Sequence, residues 1–232
     1  DAAKPMVGLL YGVTGSGKTA VFLHVIRHVL TVGKGVIVTV PEISLTPQTL
    51  AVFTAAFGDT VAVFHSGLSV GERMDEWKRV RTGRAKIVVG TRSAVFAPVQ
   101  NLGLIVMDEE QESTYKSEST PRYHARDIAK FRVNYNRAYC LLCSATPSVE
   151  SYYMAQSGKY RYHALHHRYG DAVVPTVQLV DMNNEDLYRG KPMISMALAR
   201  AVSENIRAGR QSILLLNRRG YHTYAVYRDC KT

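Results

Sequence analysis

The sequence predicts an α/β fold, a mostly parallel sheet sandwiched by helices. Three observations point there. Short continuous Val/Ile/Leu runs recur along the chain, the mark of parallel strands buried on both faces. Amphipathic stretches with readable ends alternate with those runs. A glycine-rich stretch, GVTGSGKT from Gly12 to Thr19, stands between the first apolar run and the first helical pattern, the position that phosphate-binding loops take.

Taken in order, Val7 to Tyr11 reads as a strand, and Phe22, Val25, Ile26 and Val29 line one face of the helix that follows. Val36 to Val40 is the second strand. Thr46 then caps a helix with Pro47 in its first position, Leu50, Phe53 and Phe57 inward and Gly58 as its stop. After the strand Val61 to Phe64, Ser69 and Glu72 form a capping box for a helix expected to bury Met74 and Trp77 and to end near Gly83. Further strands are Ile87 to Val89, Leu104 to Met107, Tyr139 to Leu142 and Val177 to Val180. From Asp181 to Asp186 the chain is polar and without period. A helix from about Ser195 to Ala208, with Leu198, Val202 and Ile206 inward, and a strand Ile213 to Leu216 come next. The expected division is a lobe at 1–181, a linker at 182–191 and the opening of a second lobe at 192–232.

The bulk numbers narrow the partners. At 232 residues and 46% hydrophobic, the chain can bury a full core. No apolar stretch approaches the roughly 20 residues of a membrane span, and the first residues lack signal-peptide character, so a cytoplasmic protein is expected. The sequence opens without Met directly before its first strand, and is expected to be a piece of a longer one. Lys and Arg number 29 against 19 Asp and Glu, a net charge of +10, which favours a polyanionic partner, nucleic acid ahead of a membrane surface. Three cysteines argue against a disulfide framework. Cys140 and Cys143 sit on an apolar run, where positions three apart face opposite ways, so core packing is expected rather than a shared metal. His24 and His28 are read as exposed.

The chemistry gathers in two places. In the first, Gly12, Gly15 and Gly17, with Thr14 and Ser16 between them, let backbone N–H groups turn inward at a polyphosphate over a helix N-terminus. Lys18 would hold the β- and γ-phosphates of ATP, and the Thr19 hydroxyl would ligate Mg²⁺. In the second, Leu104–Met107 delivers Asp108, Glu109, Glu110 and Gln111 to the carboxyl end of a strand, where open α/β sheets bind ligands. Asp108 would hold the Mg²⁺ and Glu109 would orient and deprotonate a water, an arrangement that serves hydrolysis. Ser144 and Thr146 follow the next strand, in Ser144-Ala145-Thr146-Pro147.

Together GSGKT, DEEQ and SAT resemble the first motor lobe of superfamily 2 helicases. The segments VIVTVPEISLTPQ (36 to 48), FHSGLS (64 to 69), IVVGTRSAVFAP (87 to 98), RYHARDIA (122 to 129), SATPSVES (144 to 151) and LLLNRRGY (214 to 221) are similar to the PriA family of replication-restart DNA helicases. That resemblance implies a RecA-like P-loop NTPase lobe followed by the start of a second helicase lobe. It implies a 3′ to 5′ ATP-dependent DNA helicase acting at stalled or branched forks in primosome assembly, with primosome and single-strand-binding proteins as partners. Gln111, Ser144 and Thr146 would couple hydrolysis to movement. The family usually has His where this chain has Gln111; both can hydrogen-bond, and only His could carry charge. Cys230 falls where the family begins a zinc-binding insertion, so Zn²⁺ is expected in a longer protein and not in this chain. An arginine finger from a second lobe is missing, so the chain alone is expected to be poorly active. A restriction-type superfamily 2 motor is the second reading, which GTRSAVFAP and RYHARD disfavour. A non-hydrolysing DNA-binding module of the same fold is the third, and intact Lys18, Asp108 and Glu109 disfavour it.

For DNA, Thr91, Arg92 and Ser93 would offer hydroxyls, a guanidinium and turn amides to phosphates, with Pro41 to Thr46 beside them. Arg122, Arg126, Lys130, Arg132 and Arg137, interleaved with Tyr123, Phe131 and Tyr135, suit stacking plus charge on single strands, with Arg122 and Tyr123 the foremost. The family usually carries a Trp shortly before RYHARD; Ser119-Thr120-Pro121 stand there, leaving Tyr115 and Tyr123 as the aromatic residues of that loop.

Overall fold

Alternation of β-branched runs with capped helices yields, in chain order, β1 (Val7–Gly12), α1 (Lys18–Thr31), β2 (Gly35–Thr39), α2 (Pro47–Phe57), β3 (Val61–Phe64), α3 (Val70–Arg81), β4 (Ile87–Gly90) and β5 (Leu102–Met107). There follow α4 (Ala125–Asn136), β6 (Tyr139–Ser144), α5 (Val149–Gln156), β7 (Arg161–Leu165) and α6 (Met196–Arg207). The structure is a computed structural model that describes residues 6–170, 176–183, 186, 188 and 194–215. Two compact units divide it, residues 1–172 and 173–232.

All seven strands of the first unit form one sheet in the order β3-β4-β2-β5-β6-β1-β7. Every pairing is parallel, with Val38 opposite Val106 and Leu9 opposite Leu142. Successive residues of the central strands therefore supply two separate cores. Leu9, Ile37, Ile105 and Leu142 belong to one, with Ala129 and Val133 of α4. Leu10, Val38, Val106 and Cys143 belong to the other, with Phe22 and Ile26 of α1 and Phe53 of α2. Cys140 packs in the first core and Cys143 in the second, so this pair shares no ligand. Burial pushes both thiols up, Cys140 to about 12.

Helix ends follow the sequence cues closely. The Thr46 side chain accepts from Thr49 N–H ahead of Pro47, and Ser69 with Glu72 completes the reciprocal capping box. Four expectations need correction. Val177 to Val180 forms no strand, and Val177 and Leu179 are exposed. Ile213 to Leu215 likewise forms none, while Leu216 lies outside the described residues. Parallel strands need a neighbour at their edge, and neither run has one among the described residues. In their place Arg161–Leu165 becomes β7, whose polar residues suit an edge position open to water. Met74 is exposed on α3, which buries Val80 instead. On α6, capped by Ser195 as expected, Leu198 and Ile206 stay exposed.

Candidate functional site

The carboxyl ends of β1, β6 and β5 are neighbours in the sheet, and each delivers one piece of a single site. At the end of β1, Gly15 and Gly17 take positive φ values of 80° and 87°, which only glycine adopts without strain. Gly17 caps α1, and Ser16 N–H donates to the Val13 carbonyl at 3.0 Å, closing the loop. Lys18 is buried, its Nζ donating to the Gly12 carbonyl at 2.8 Å. Ser16 Oγ is buried and has no hydrogen-bond partner among the described residues. Thr14 and Thr19 stand exposed at the rim.

From β5, Asp108 donates its N–H to the Thr39 carbonyl at 2.9 Å. Burial first, and the neighbouring Glu109 second, push the Asp108 carboxyl up to about 6; Lys18 pulls the other way. Glu109 N–H donates to Asp108 Oδ1 at 3.1 Å, and Glu109 holds φ at 46°, a left-handed conformation that costs an acidic residue about 1–2 kcal/mol. Gln111 Nε2 donates to Glu109 Oε2 at 3.0 Å, and Ser144 Oγ donates to Gln111 Oε1 at 2.6 Å. Thr146 N–H donates back to Ser144 Oγ at 2.9 Å. One continuous polar chain thus runs from Glu109 to Thr146.

The third acid, Glu110, does something the sequence reading missed. Its side chain is fully buried and meets Arg126 of α4, Nη1 to Oε2 at 2.9 Å. Ser148 N–H donates to Oε1 at 2.7 Å and Ser151 Oγ to Oε2 at 2.9 Å. Arg126 Nη1 also reaches Ser148 Oγ at 2.7 Å. This carboxylate joins the segment after β5 to the first turns of both α4 and α5. Serines three residues apart at a helix start, opposite an unpaired arginine and glutamate in sequence, were the available signal. Arg126 is accordingly committed to the fold rather than free for DNA. Arg132 is committed too, donating to the Val95 and Ala97 carbonyls.

A cleft of about 450 Å³ opens at the ends of β3 and β4, lined by His65, Arg73, Arg92, Ser93, Phe96 and Tyr123 among others. Tyr123 meets Phe96 edge to face, ring centres 5.0 Å apart. Arg92 Nη1 donates to the Thr114 and Lys116 carbonyls at 3.1 and 2.5 Å, tying this cleft to the loop that follows Gln111. Arg122, exposed, donates Nε to the Glu118 carbonyl at 3.3 Å. Of the three residues at 91–93, all of which line this cleft, Ser93 is exposed, Arg92 half-buried and Thr91 buried with its N–H donating to the Phe64 carbonyl. The expectation for Tyr115 is corrected. It is buried in the core, and its hydroxyl lies 2.9 Å from the Thr39 carbonyl and 2.6 Å from that of Asp108.

Residues 4–155 match the DEAD/DEAH box helicase family. The chain belongs to that family. It is 49% identical, over 99% of its length, to the replication restart protein PriA of Bacillus subtilis, and 41% identical over 97% to the PriA of Haemophilus influenzae. It spans only 29% and 30% of those two proteins. Among solved structures, RecG bound to a three-way DNA junction aligns with a TM-score of 0.51 at 24% identity, over 71% of this chain and 21% of that one. The Pyrococcus furiosus Hef helicase domain gives 0.50 at 20% identity, over 67% of this chain and 34% of its own. These likenesses establish the RecA-like helicase fold.

The helicase lobe fits a nucleotide with Mg²⁺. Ser16 Oγ is an orphaned buried hydroxyl inside the phosphate loop, and Asp108 beside Glu109 is a pair of carboxylates whose mutual repulsion a divalent cation would relieve. Thr19 lies exposed in the first turn of α1, next to Lys18. Zinc has no such support: among the described residues no three of His, Cys, Asp and Glu gather as a ligand set, and Cys230 lies outside those residues. Among the described residues no helix is long and apolar enough to cross a membrane.

Proposed function

We propose that this helicase lobe hydrolyses ATP with Mg²⁺ to drive 3′ to 5′ movement along DNA at stalled or branched replication forks. The polar chain Glu109–Gln111–Ser144–Thr146 is the observation that carries the hydrolytic part, because it fixes a carboxylate beside the phosphate loop. Bound Mg²⁺–ATP, held by the loop from Gly12 to Lys18, by Thr19 and by Asp108, would supply the γ-phosphate as electrophile and a cation to neutralise it. Glu109 takes the proton of the attacking water. Gln111 holds Glu109 in place and carries its position to Ser144 and Thr146, the coupling arm. Lys18 leaves the Gly12 carbonyl for phosphate oxygens.

DNA is read through its backbone. Arg92, Ser93 and Tyr123 line the cleft and the exposed Arg122 adjoins Tyr123 in the chain, a mixture of charge and ring that suits single strands without base preference. Likeness to the PriA proteins supports replication restart as the setting, the bacterial cytoplasm as the place, primosome and single-strand-binding proteins as partners, and a zinc-binding insertion elsewhere in the full protein. The test is direct: in the full-length protein, Lys18→Ala and Glu109→Gln abolish turnover while DNA binding stays within a few-fold of the parent. Turnover retained in Glu109→Gln removes this carboxylate from the chemistry.

A further inference from the structure

The chain does not leave the phosphate loop after β7. β7 pairs with β1 so that Leu165 lies opposite Gly12, and four residues later Tyr169 N–H donates to the Gly15 carbonyl at 2.9 Å. The residues between, His166 to Arg168, therefore pass alongside the glycine loop. Two features of Arg168 and Tyr169 have no explanation among the described residues. Tyr169 leaves its ring 89% exposed although its backbone is pinned. Arg168 Nε is buried with no hydrogen-bond partner among the described residues, an unfavourable condition for a group that carries charge.

We propose that the stretch from His166 to Gly170 is the nucleoside wall of the nucleotide cleft, with Tyr169 stacking on the base and Arg168 donating to the phosphates. The proposal rests on the nucleotide reading above and extends it to the base. A nucleotide answers both anomalies at once: its base covers an exposed ring and its phosphates accept from the stranded Arg168 Nε. DNA is the poorer occupant. The DNA cleft lies at the ends of β3 and β4, whereas β7 is the opposite margin of the sheet. Because Tyr169 is held by its main chain, shortening its side chain leaves the bond to Gly15 in place, and an exposed ring takes no packing with it.

Calorimetric titration of the protein with Mg²⁺–ATP and, separately, with Mg²⁺–tripolyphosphate tests this. The parent is expected to prefer ATP. Tyr169→Ala should lose about tenfold in ATP affinity, a stacking contribution of about 1.4 kcal/mol, with tripolyphosphate unchanged. Tyr169→Phe should behave as the parent. Arg168→Ala should weaken both ligands by similar factors. An unchanged ratio of the two affinities in Tyr169→Ala overturns the base wall, and an unchanged tripolyphosphate affinity in Arg168→Ala overturns the phosphate contact. If the parent binds neither ligand, the nucleotide reading itself falls.

Discussion

Gln111 holds Glu109 by a single hydrogen bond, Nε2 to Oε2 at 3.0 Å, and its other end is itself held by Ser144 at 2.6 Å. An amide is suited to this place because it donates at one end and accepts at the other. Gln111→Glu turns the donor into a second anion facing Glu109, and is expected to cut ATP turnover by about 10²-fold, a share of the range ascribed to general base catalysis. Ser144→Ala leaves the amide oxygen unpartnered and should cost less. Steady-state ATPase on the parent and both variants decides it; equal activity in Gln111→Glu would disconnect the pair from catalysis.

The Glu110 cluster should govern stability. Removing one partner of a buried ion pair costs about 3–5 kcal/mol because the other charge is stranded. Glu110→Ala is therefore expected to lower Tm by about 10 °C. The double variant Glu110→Leu with Arg126→Leu should recover most of that loss. Thermal melts of the three proteins are the check.

Asp108 makes the fold sensitive to pH in a stated direction. Its carboxyl titrates near 3.8 when free and near 6 in the fold, so the folded protein holds the extra proton between those values. The stability it contributes is complete below the lower value and is lost as pH rises through the upper one. Asp108→Asn should then be more stable than the parent at about pH 8, with the gain vanishing below about pH 4. Urea denaturation at the two pH values measures this. For the same reason Mg²⁺–nucleotide affinity of the parent should fall as pH drops below about 6, where a proton competes with the cation.

The loop from Gln111 to Arg126 starts beside Asp108 and Glu109 and passes the cleft at the ends of β3 and β4 at Tyr123, with Arg92 fastened to its Thr114 and Lys116 carbonyls. Tyr123→Ala and Arg122→Ala, in the full protein, should leave DNA affinity within a few-fold yet blunt the stimulation of ATPase by single strands. Stimulation that is unchanged in stable, DNA-binding variants would remove the loop from coupling.

DNA affinity should fall steeply with salt and be indifferent to sequence, since phosphate neutralisation releases counterions. Arg92→Ala should weaken it and flatten the salt dependence. Titrations at several salt concentrations, with two unrelated sequences, provide the measure.

Local signals carried most of the fold, because a capped helix or a buried apolar run declares itself within ten residues. Ser69 with Glu72 and Thr46 with Pro47 are cases where the observed bonds match the sequence cue. What failed depended on partners distant in the chain. Val177 to Val180 has the composition of a strand, but Arg161–Leu165 occupies the free edge beside β1. At the site, Lys18, Asp108, Glu109 and Gln111 were legible because their spacing to strand ends is local. Glu110 and Arg126 were not, since only folding brings residues 110, 126, 148 and 151 to one point. Tyr115 misled for a related reason: aromatic character alone cannot tell a ring that meets a ligand from one that fills a core.

The far margin of the sheet carries its own safeguard. Among the described residues β3 has no neighbouring strand on its outer side, yet Glu76 accepts from the Val63 N–H at 3.0 Å, and Arg79 donates to the carbonyls of Asp59 and Val61 at 2.6 and 3.3 Å. Glu76 and Arg79 also grip each other at 2.6 Å. Side chains of α3 thus occupy main-chain groups along this edge through which a second molecule would otherwise extend the sheet. An edge strand whose outward main-chain groups are already bonded offers a second copy less of a seam along which to extend the sheet.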